Sequence, residues 1–465
     1  MQIMNDETEV DPQVVHYSSA ARLERLPISS FHRQIVWVLG FVFFFELGDI
    51  NTFSFAAPAI LQQWHLSITN ISIIVSATFL GMFIGAVSGG WLSDRVGRKR
   101  ALISSTLWYS VFSLLNAFAW NPAGLFGARM LTGVGLSAMT VVGITYISEM
   151  FPAAKRGTYQ GRVMAIGLLG ITATAYVARY MIPIAPWGWR LVFVWGSLGS
   201  LILLFGRRLE ESPRWYEKRG RTDQEEAVLA RIEERVRAEC GELPAPTEQT
   251  LQKIGAHSYR DLFSPEYLRQ TVVLIFAYVG QTLGFYGFMA WVPTLLVAHG
   301  FSLLNSLAWS STITIGAVPG ALLAALVSDR WERKWLITIV ALVIAVCGIP
   351  YGMSFKTTAI IIFGFLVAMF IQTFAPLLYA YTPEAYPTEI RNSGAGLVYG
   401  VGRLANTMGP LLVAFFYKHY GYTYVFVYIS VCWMLVAVAV GGFGLKTMGR
   451  ELEQLSEPPA EADAV

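Results

Sequence analysis

The chain has 465 residues, of which 54% are hydrophobic and only 14% are charged, with a mean hydropathy of +0.50 and a net charge of +3. This composition excludes an ordinary soluble enzyme or binding module and predicts an integral membrane protein. The three cysteines have neither paired nor metal-ligand spacing, and the chain contains no phosphate-binding loop or nucleophile elbow. We therefore expect no enzymatic activity, no cofactor and no metal site.

Apolar runs long enough to cross about 30 Å of hydrocarbon as helices recur along the chain. They predict an all-α membrane protein with twelve transmembrane helices, called spans 1 to 12. The predicted spans cover residues 35–60, 70–92, 101–120, 122–148, 158–183, 188–206, 270–298, 303–328, 335–354, 357–382, 393–417 and 422–445.

The loops between the spans alternate in basic content. One set includes the Arg95 to Arg100 loop and the long hydrophilic segment after span 6, whereas the other set contains only Lys356 and Lys418. Basic loops remain on the cytoplasmic side, so both termini are expected in the cytoplasm. The same basic residues lie in short loops beside the membrane, which gives no reason to expect nucleic-acid binding. The predicted units are a cytoplasmic tail (1–34), a six-helix bundle (35–206), a cytoplasmic linker with amphipathic helices (207–269), a second six-helix bundle (270–445) and a cytoplasmic tail (446–465).

Span 1 carries two acidic residues, Glu46 and Asp49, and no basic residue. An ionisable side chain at membrane depth costs roughly 2.5 to 3.5 kcal/mol to insert, so it must face protein or water. Residues three apart on a helix share one side. The pair is either a buried polar contact that fixes helix packing or a proton-binding site, and we favour the proton site.

Two motifs recur at one offset. Ser93-Asp94-Arg95-x-x-Arg98-Lys99 returns as Ser328-Asp329-Arg330-x-x-Arg333-Lys334, and Glu149-x-x-Pro-x-x-x-Arg156 returns as Glu384-x-x-Pro-x-x-x-Arg391. The displacements, 328 − 93 and 384 − 149, are both 235. The chain is therefore a parallel tandem repeat, an arrangement in which two bundles enclose a site near the middle of the membrane.

These loop motifs, over essentially the whole chain, resemble those of the major facilitator superfamily. Glu211-Ser-Pro-Arg-Trp215 and Gly449-Arg450-x-Leu-Glu453 resemble its sugar-porter-like branch. Glu46-x-x-Asp49 followed by Ala57-Pro58 is similar to the first helix of bacterial aromatic-acid and metabolite:proton symporters, with Glu46 in place of their first aspartate. The resemblance implies alternating access by rocking of the two halves.

Arg129 in span 4 lies at a depth similar to that of Asp49. An arginine beside a carboxylate is released when the acid binds a proton, so such a pair can couple protonation to conformation; the alternative is a purely structural ion pair. In the family, the Arg129-x-x-x-Gly133 pattern is associated with proton coupling. Because no histidine lies in the middle of a predicted span, proton coupling is assigned to Asp49, Glu46 and Arg129.

Arg403 lies deep in span 11, where an isolated cation requires an anion. We expect it to grip a substrate carboxylate, unless it pairs internally with Glu46 or Asp49. Relatives that carry organic anions also use an arginine in this span. Spans 7 and 10 depart from the sugar-porter pattern, with Tyr286 in place of an asparagine and Tyr379 where a tryptophan stands. The candidate pocket comprises Arg403, Gln281, Phe285, Tyr286, Gln372 and Tyr379.

The repeated loop motifs predict a cytoplasmic gate, with Asp94 near a helix N-terminus of the opposite half and ion pairs that hold the inner side closed. The gate residues are Asp94, Arg98, Glu149, Arg156, Asp329, Arg333, Glu384 and Arg391.

The sequence as a whole predicts a secondary transporter of the bacterial inner membrane, working as a monomer in the lipid bilayer. Its predicted substrates are protons and a small organic acid, such as an aromatic carboxylate, taken up together. One alternative keeps the fold but transports a sugar, polyol or neutral heterocycle. Another alternative is a membrane sensor or scaffold that transports nothing.

Overall fold

The computed structural model describes residues 17–246, 261–328, 330–386 and 390–447, and these residues form helices and connecting loops without a β-strand. This confirms the all-α class. The spans are Ser30–Gln63, Ile68–Val96, Arg98–Ala117, Pro122–Met150, Ala153–Met181, Trp189–Arg208, Leu268–Met289 with Val292–Ala298, Leu303–Thr314 with Ala317–Val327, Arg333–Met353, Thr357–Glu384, Arg391–Tyr420 and Tyr422–Phe443.

Ten of these helical segments are long and apolar enough to cross a membrane by length and composition alone. The other two are span 3 and span 11, which are interrupted by polar residues. Asn116 of span 3 and Asn406 of span 11 are almost completely buried. Neighbouring helices cover these polar side chains, so both helices join the twelve-helix bundle despite their lower hydropathy.

Close helix contacts place span 4 against its neighbours. A Cβ atom on Gly133 would lie 2.2 Å from the carbonyl oxygen of Thr78 in span 2, and one on Gly135 would lie 2.6 Å from the backbone nitrogen of Tyr109 in span 3. Only glycine fits at such distances. This packing brings Arg129, one turn before Gly133, close to spans 1 and 2.

The two ends of the bundle differ. We call the end with the Arg95 to Arg100 loop the basic side and the other end the far side. The Val292–Ala298 segment of span 7 packs on span 1, and the Leu303–Thr314 segment of span 8 packs on span 5, both towards the far side. Towards the basic side, Gly157, Gly161 and Gly396 face open space. The two halves therefore meet at the far side, whereas these three glycines at the basic side have no neighbouring atoms within 4 Å of their Cβ positions.

A short helix, Ser19–Glu24, and a linker helix, Thr222–Cys240, lie under the first half of the bundle. Arg22 donates to both carboxylate oxygens of Glu233, at 2.8 Å and 2.9 Å, and Leu23 packs into the same apolar cluster as the linker helix. Part of the segment expected to be a polar tail is thus a helix held by ion pairs. The linker helix buries Val228, Leu229, Ile232 and Val236 along one side.

Candidate functional site

Asp49 and Arg129 form an ion pair inside the first half of the bundle. Arg129 Nη1 lies 3.5 Å from Asp49 Oδ2, and the two side chains are only 1% and 0% exposed. Asp49 Oδ1 also accepts a hydrogen bond from Ser113 of span 3. Arg129 Nε donates to the Thr78 hydroxyl at 3.2 Å. Both charges are therefore compensated within the protein, as charges at membrane depth must be.

Glu46 lies one turn before Asp49 but has different partners. The Thr140 hydroxyl of span 4 donates to Glu46 Oε1 at 2.7 Å. Glu46 Oε2 is buried and makes no hydrogen bond to any described residue. The charge of Arg403, which belongs to the other half, acts on Glu46. The two acids of span 1 therefore differ: Asp49 is paired with Arg129, whereas Glu46 has one carboxylate oxygen without a partner.

Arg403 is held by a tyrosine rather than by an acid. Its Nε and Nη2 donate to the Tyr399 hydroxyl at 3.0 Å and 2.5 Å, and its guanidinium lies 5.1 Å from the centre of the Tyr399 ring. Nη1 is buried and has no hydrogen-bond partner. Within the described ranges, no carboxylate lies within 4.0 Å of the Arg403 guanidinium, so neither Glu46 nor Asp49 forms an ion pair with it.

Two of the predicted pocket tyrosines lie around this guanidinium. Tyr286 and Tyr379 are both close enough for Arg403 to act on them electrostatically. Tyr379 is 49% exposed and lies near the basic-side end of span 10, with its ring centre 6.1 Å from that of Tyr399. Phe285 contacts Tyr286, with their ring centres 4.8 Å apart. The surroundings of Arg403 are therefore aromatic, with hydroxyl groups as the polar atoms.

The two glutamines are less accessible than the tyrosines. Gln281 is 7% exposed and its Oε1 accepts a long hydrogen bond of 3.5 Å from Thr282. Gln372 is 5% exposed, and its Nε2 has no partner among the described residues. An unpaired buried amide is costly, so Gln372 is a candidate donor to a bound molecule.

A small cavity of about 20 Å³ lies beside Arg129. It is lined by side chains of spans 1, 2, 4 and 7, including Asn51, Thr78, Arg129 and Tyr286. Tyr286 thus lies beside Arg403 and also borders the space next to Arg129. Of the proton-site and pocket candidates from the sequence, Arg129 and Tyr286 line this cavity.

Sequence reasoning missed the residues that hold these charges in place. Tyr399, Thr140 and Ser113 contact Arg403, Glu46 and Asp49 respectively. Tyr399 could have been found, because residues four apart on a helix are neighbours. Ser113 and Thr140 could not, since their role depends on how spans 3 and 4 rotate against span 1.

On the basic side, the repeated motifs form equivalent ion pairs in both halves. Arg98 Nη2 lies 2.8 Å from Glu149, and Arg98 Nη1 lies 2.8 Å from Asp94. Arg333 pairs with Glu384 in the second half. The offset of 235 relates Arg98 to Arg333 and Glu149 to Glu384, so one contact is built twice.

These pairs lie within the halves and not between them. Asp94, expected near a helix end of the opposite half, pairs instead with Arg98 one turn along its own chain segment. Arg391 Nε donates to the Tyr386 carbonyl at 3.3 Å. Arg156 has no carboxylate within 4.0 Å among the described residues, and Asp329 lies outside them.

The fold and the site together are those of a membrane transporter: two helical halves meet around buried charges in the middle of their spans. The chain matches the family model "Sugar (and other) transporter" over residues 31–458. It belongs to this family, within the major facilitator superfamily, and is a transporter and not an enzyme.

Relatives agree with this assignment. The chain is 43% identical over 439 residues to YyaJ of Bacillus subtilis (strain 168), a candidate metabolite transport protein, covering 94% of this chain and 97% of YyaJ. It is 30% identical over 442 residues to the niacin transporter NiaP of Acinetobacter baylyi, covering 94% and 99%. A partially occluded inward-open structure of the E. coli xylose transporter XylE matches with a TM-score of 0.72 and 18% identity, covering 91% and 100%.

Proposed function

We propose that this transporter carries a small organic acid, such as an aromatic carboxylate, together with a proton by alternating access. The observation that carries the proposal is the state of Arg403. Its guanidinium is surrounded by tyrosines, has a buried Nη1 without a partner, and has no carboxylate within ion-pairing distance in the described chain. A permanently charged side chain in this setting favours an anionic ligand.

The aromatic surroundings narrow the class of acid. Tyr286 and Tyr379 offer ring faces and hydroxyl groups next to the guanidinium, which suits a flat molecule with one carboxylate. NiaP, at 30% identity, is named for niacin, which is a pyridine carboxylate. Both points support an aromatic acid over a sugar.

Proton coupling is assigned to the Asp49–Arg129 pair, with Glu46 as a second acid. Binding of a proton to Asp49 removes the charge that holds Arg129 and weakens the 3.5 Å contact between them. Arg129 then reorients towards the cavity that it shares with Tyr286. In this scheme, protonation of Asp49 moves Arg129 and so changes the wall of the pocket that the first half presents to the substrate.

The experiment that tests the proposal measures uptake into proteoliposomes with an imposed pH gradient. The substrates are aromatic acids, such as nicotinate and benzoate, each paired with its neutral amide. We expect accumulation of an acid driven by the gradient and no accumulation of its amide. Arg403→Ala should abolish acid uptake, and Arg403→Lys should weaken it because a lysine cannot grip a carboxylate with two parallel bonds. The neutral-substrate alternative would be favoured if the protein transports the amide or a sugar and if Arg403→Ala and Arg403→Lys change that transport equally.

The orientation and environment are part of the proposal. The basic side is assigned to the cytoplasm of a bacterium, with both chain termini inside and the protein acting as a monomer in the inner membrane. The distribution of Lys and Arg over the loops supports this assignment.

A further inference from the structure

A group of basic residues lies at the basic side of the second half, away from the transport cavity. Lys334 begins span 9, Arg269 begins span 7 and Lys446 follows span 12. Arg269 and Lys446 are exposed and near enough for their charges to act on Lys334, as does the charge of Glu332. Three cations from three separate helices thus converge on one place.

Lys334 is largely covered by neighbouring residues, and Glu332 is the acid whose charge acts on it. Its side chain is 9% exposed, and its ammonium lies 5.3 Å from the centre of the Trp335 ring. Within the described ranges it has neither an ion pair nor a hydrogen bond from its ammonium group. Glu332 Oε1 accepts from the backbone of Thr447 at 2.9 Å. Glu332 is thus one acid beside three cations, so the cluster keeps an excess of positive charge that favours an anionic ligand.

The first half of the repeat shows how the equivalent position is satisfied there. The offset of 235 relates Lys99 to Lys334 and Glu211 to Lys446. Glu211 accepts from the backbone nitrogen of Lys99 at 2.9 Å, and the Lys99 ammonium donates to the Arg207 carbonyl at 3.0 Å. In the second half a lysine replaces this glutamate, and the acid is instead Glu332, at the position that Gly97 occupies in the first half.

The surface around the cluster is that of a membrane interface. Trp331 and Trp335 are 62% and 48% exposed, and Leu268 and Phe443 beside Arg269 are exposed as well. Exposed tryptophans are typical of the level of lipid headgroups. Basic pockets between helices on the cytoplasmic side bind phosphate-containing headgroups.

We propose that Arg269, Lys334 and Lys446 form a binding site for the headgroup of an anionic phospholipid. The phosphate lies between the three cations and offsets the positive charge that Glu332 leaves uncompensated. The acyl chains run along the exposed side chains of spans 7, 9 and 12. The site is separate from the transport cavity, and it ties the ends of these spans to the anionic surface of the membrane.

The test uses the purified full chain in detergent, titrated with phosphatidylglycerol, with phosphatidylcholine of the same acyl chains, or with inorganic phosphate. Native mass spectrometry counts bound lipid, and thermal unfolding measures stabilisation. We expect saturable binding and a rise in melting temperature with phosphatidylglycerol only. Lys334→Gln should weaken binding about fivefold, as expected for one interfacial cation worth about 1 kcal/mol.

Two further variants keep the test decisive. Lys446→Glu, on an exposed residue, restores the charge of the first half and should remove the phosphatidylglycerol effect while the unliganded protein stays folded. Lys99→Gln, the matched control, should bind the lipid like the wild type. Equal stabilisation by inorganic phosphate would overturn the lipid assignment. Unchanged lipid binding by Lys446→Glu, or an equal loss in Lys99→Gln, would overturn the site.

Discussion

The substitution Gly196→Ala, which adds a single methyl group, is the most direct test of the proton site. In span 6, a Cβ atom at this position would lie 2.0 Å from Asp49 Oδ1 and 2.9 Å from Ser113 Oγ. Gly196→Ala must therefore displace the carboxylate from its hydrogen bond. That loss costs about 1.5 to 3 kcal/mol for a charged acceptor, or about 3 to 5 kcal/mol if the buried pair with Arg129 also breaks. Alanine is more favourable than glycine inside a helix by about 1 kcal/mol, so the free energy of unfolding should fall by a net amount of about 0.5 to 4 kcal/mol.

The assay separates stability from coupling. Unfolding of the purified variant in denaturant measures the free energy, and proteoliposomes measure two modes of transport. We expect accumulation driven by a pH gradient to fall about tenfold, the effect of about 1.4 kcal/mol on a single equilibrium. Exchange of substrate between two equal pools at one pH needs no net proton movement and should change by less than about twofold on the same scale.

Gly442→Ala in span 12 is the matched control, because no heavy atom lies within 4 Å of its Cβ position. It should leave both transport modes intact and unfold with equal or slightly higher free energy. The reasoning is refuted if Gly196→Ala behaves like this control in both stability and gradient-driven accumulation.

Two other predictions concern the substrate anchor and the linker. Tyr399→Phe removes the hydroxyl that accepts from Arg403, so we expect acid affinity measured by binding to change about fivefold, the equivalent of about 1 kcal/mol, without a change for the neutral amide. Hydrogen bonds from Arg22 and Arg25 hold the pKa of Glu233 below its ordinary value although burial opposes them. Its contribution to stability is therefore present above its unfolded-state pKa and is lost as the pH falls through its folded-state pKa. Glu233→Gln should lower the free energy of unfolding by about 1.5 to 3 kcal/mol at neutral pH, with a difference from wild type that shrinks in acid.

Both predictions have controls in the chain. Tyr424→Phe removes an exposed hydroxyl in span 12 and should leave acid affinity unchanged. Glu234→Gln changes the exposed neighbour of Glu233 and should have little effect on unfolding at any pH. A loss of amide binding in Tyr399→Phe, or a pH-independent effect of Glu233→Gln, would contradict the respective argument.

The sequence alone determined the helical membrane class, the number of spans and the repeat. Whether a segment can cross the membrane as a helix depends on about twenty consecutive residues, so each span can be recognised from its own apolar run. Span 3 and span 11 are the exceptions in hydropathy, and their positions between loops of opposite basic content still identified them. The offset of 235 also related Arg98 to Arg333 before any contact was known.

Only the tertiary structure decided which charges meet. Glu46 and Asp49 lie on one side of span 1, and the sequence cannot choose which of them pairs with Arg129 and which remains under-coordinated. That choice depends on Ser113 and Thr140, contributed by two other helices. The same holds for Arg403: no carboxylate in the described chain forms an ion pair with it, because of how the two halves are placed. Contacts between distant segments are set by helix rotation and depth, and a hydropathy pattern contains neither.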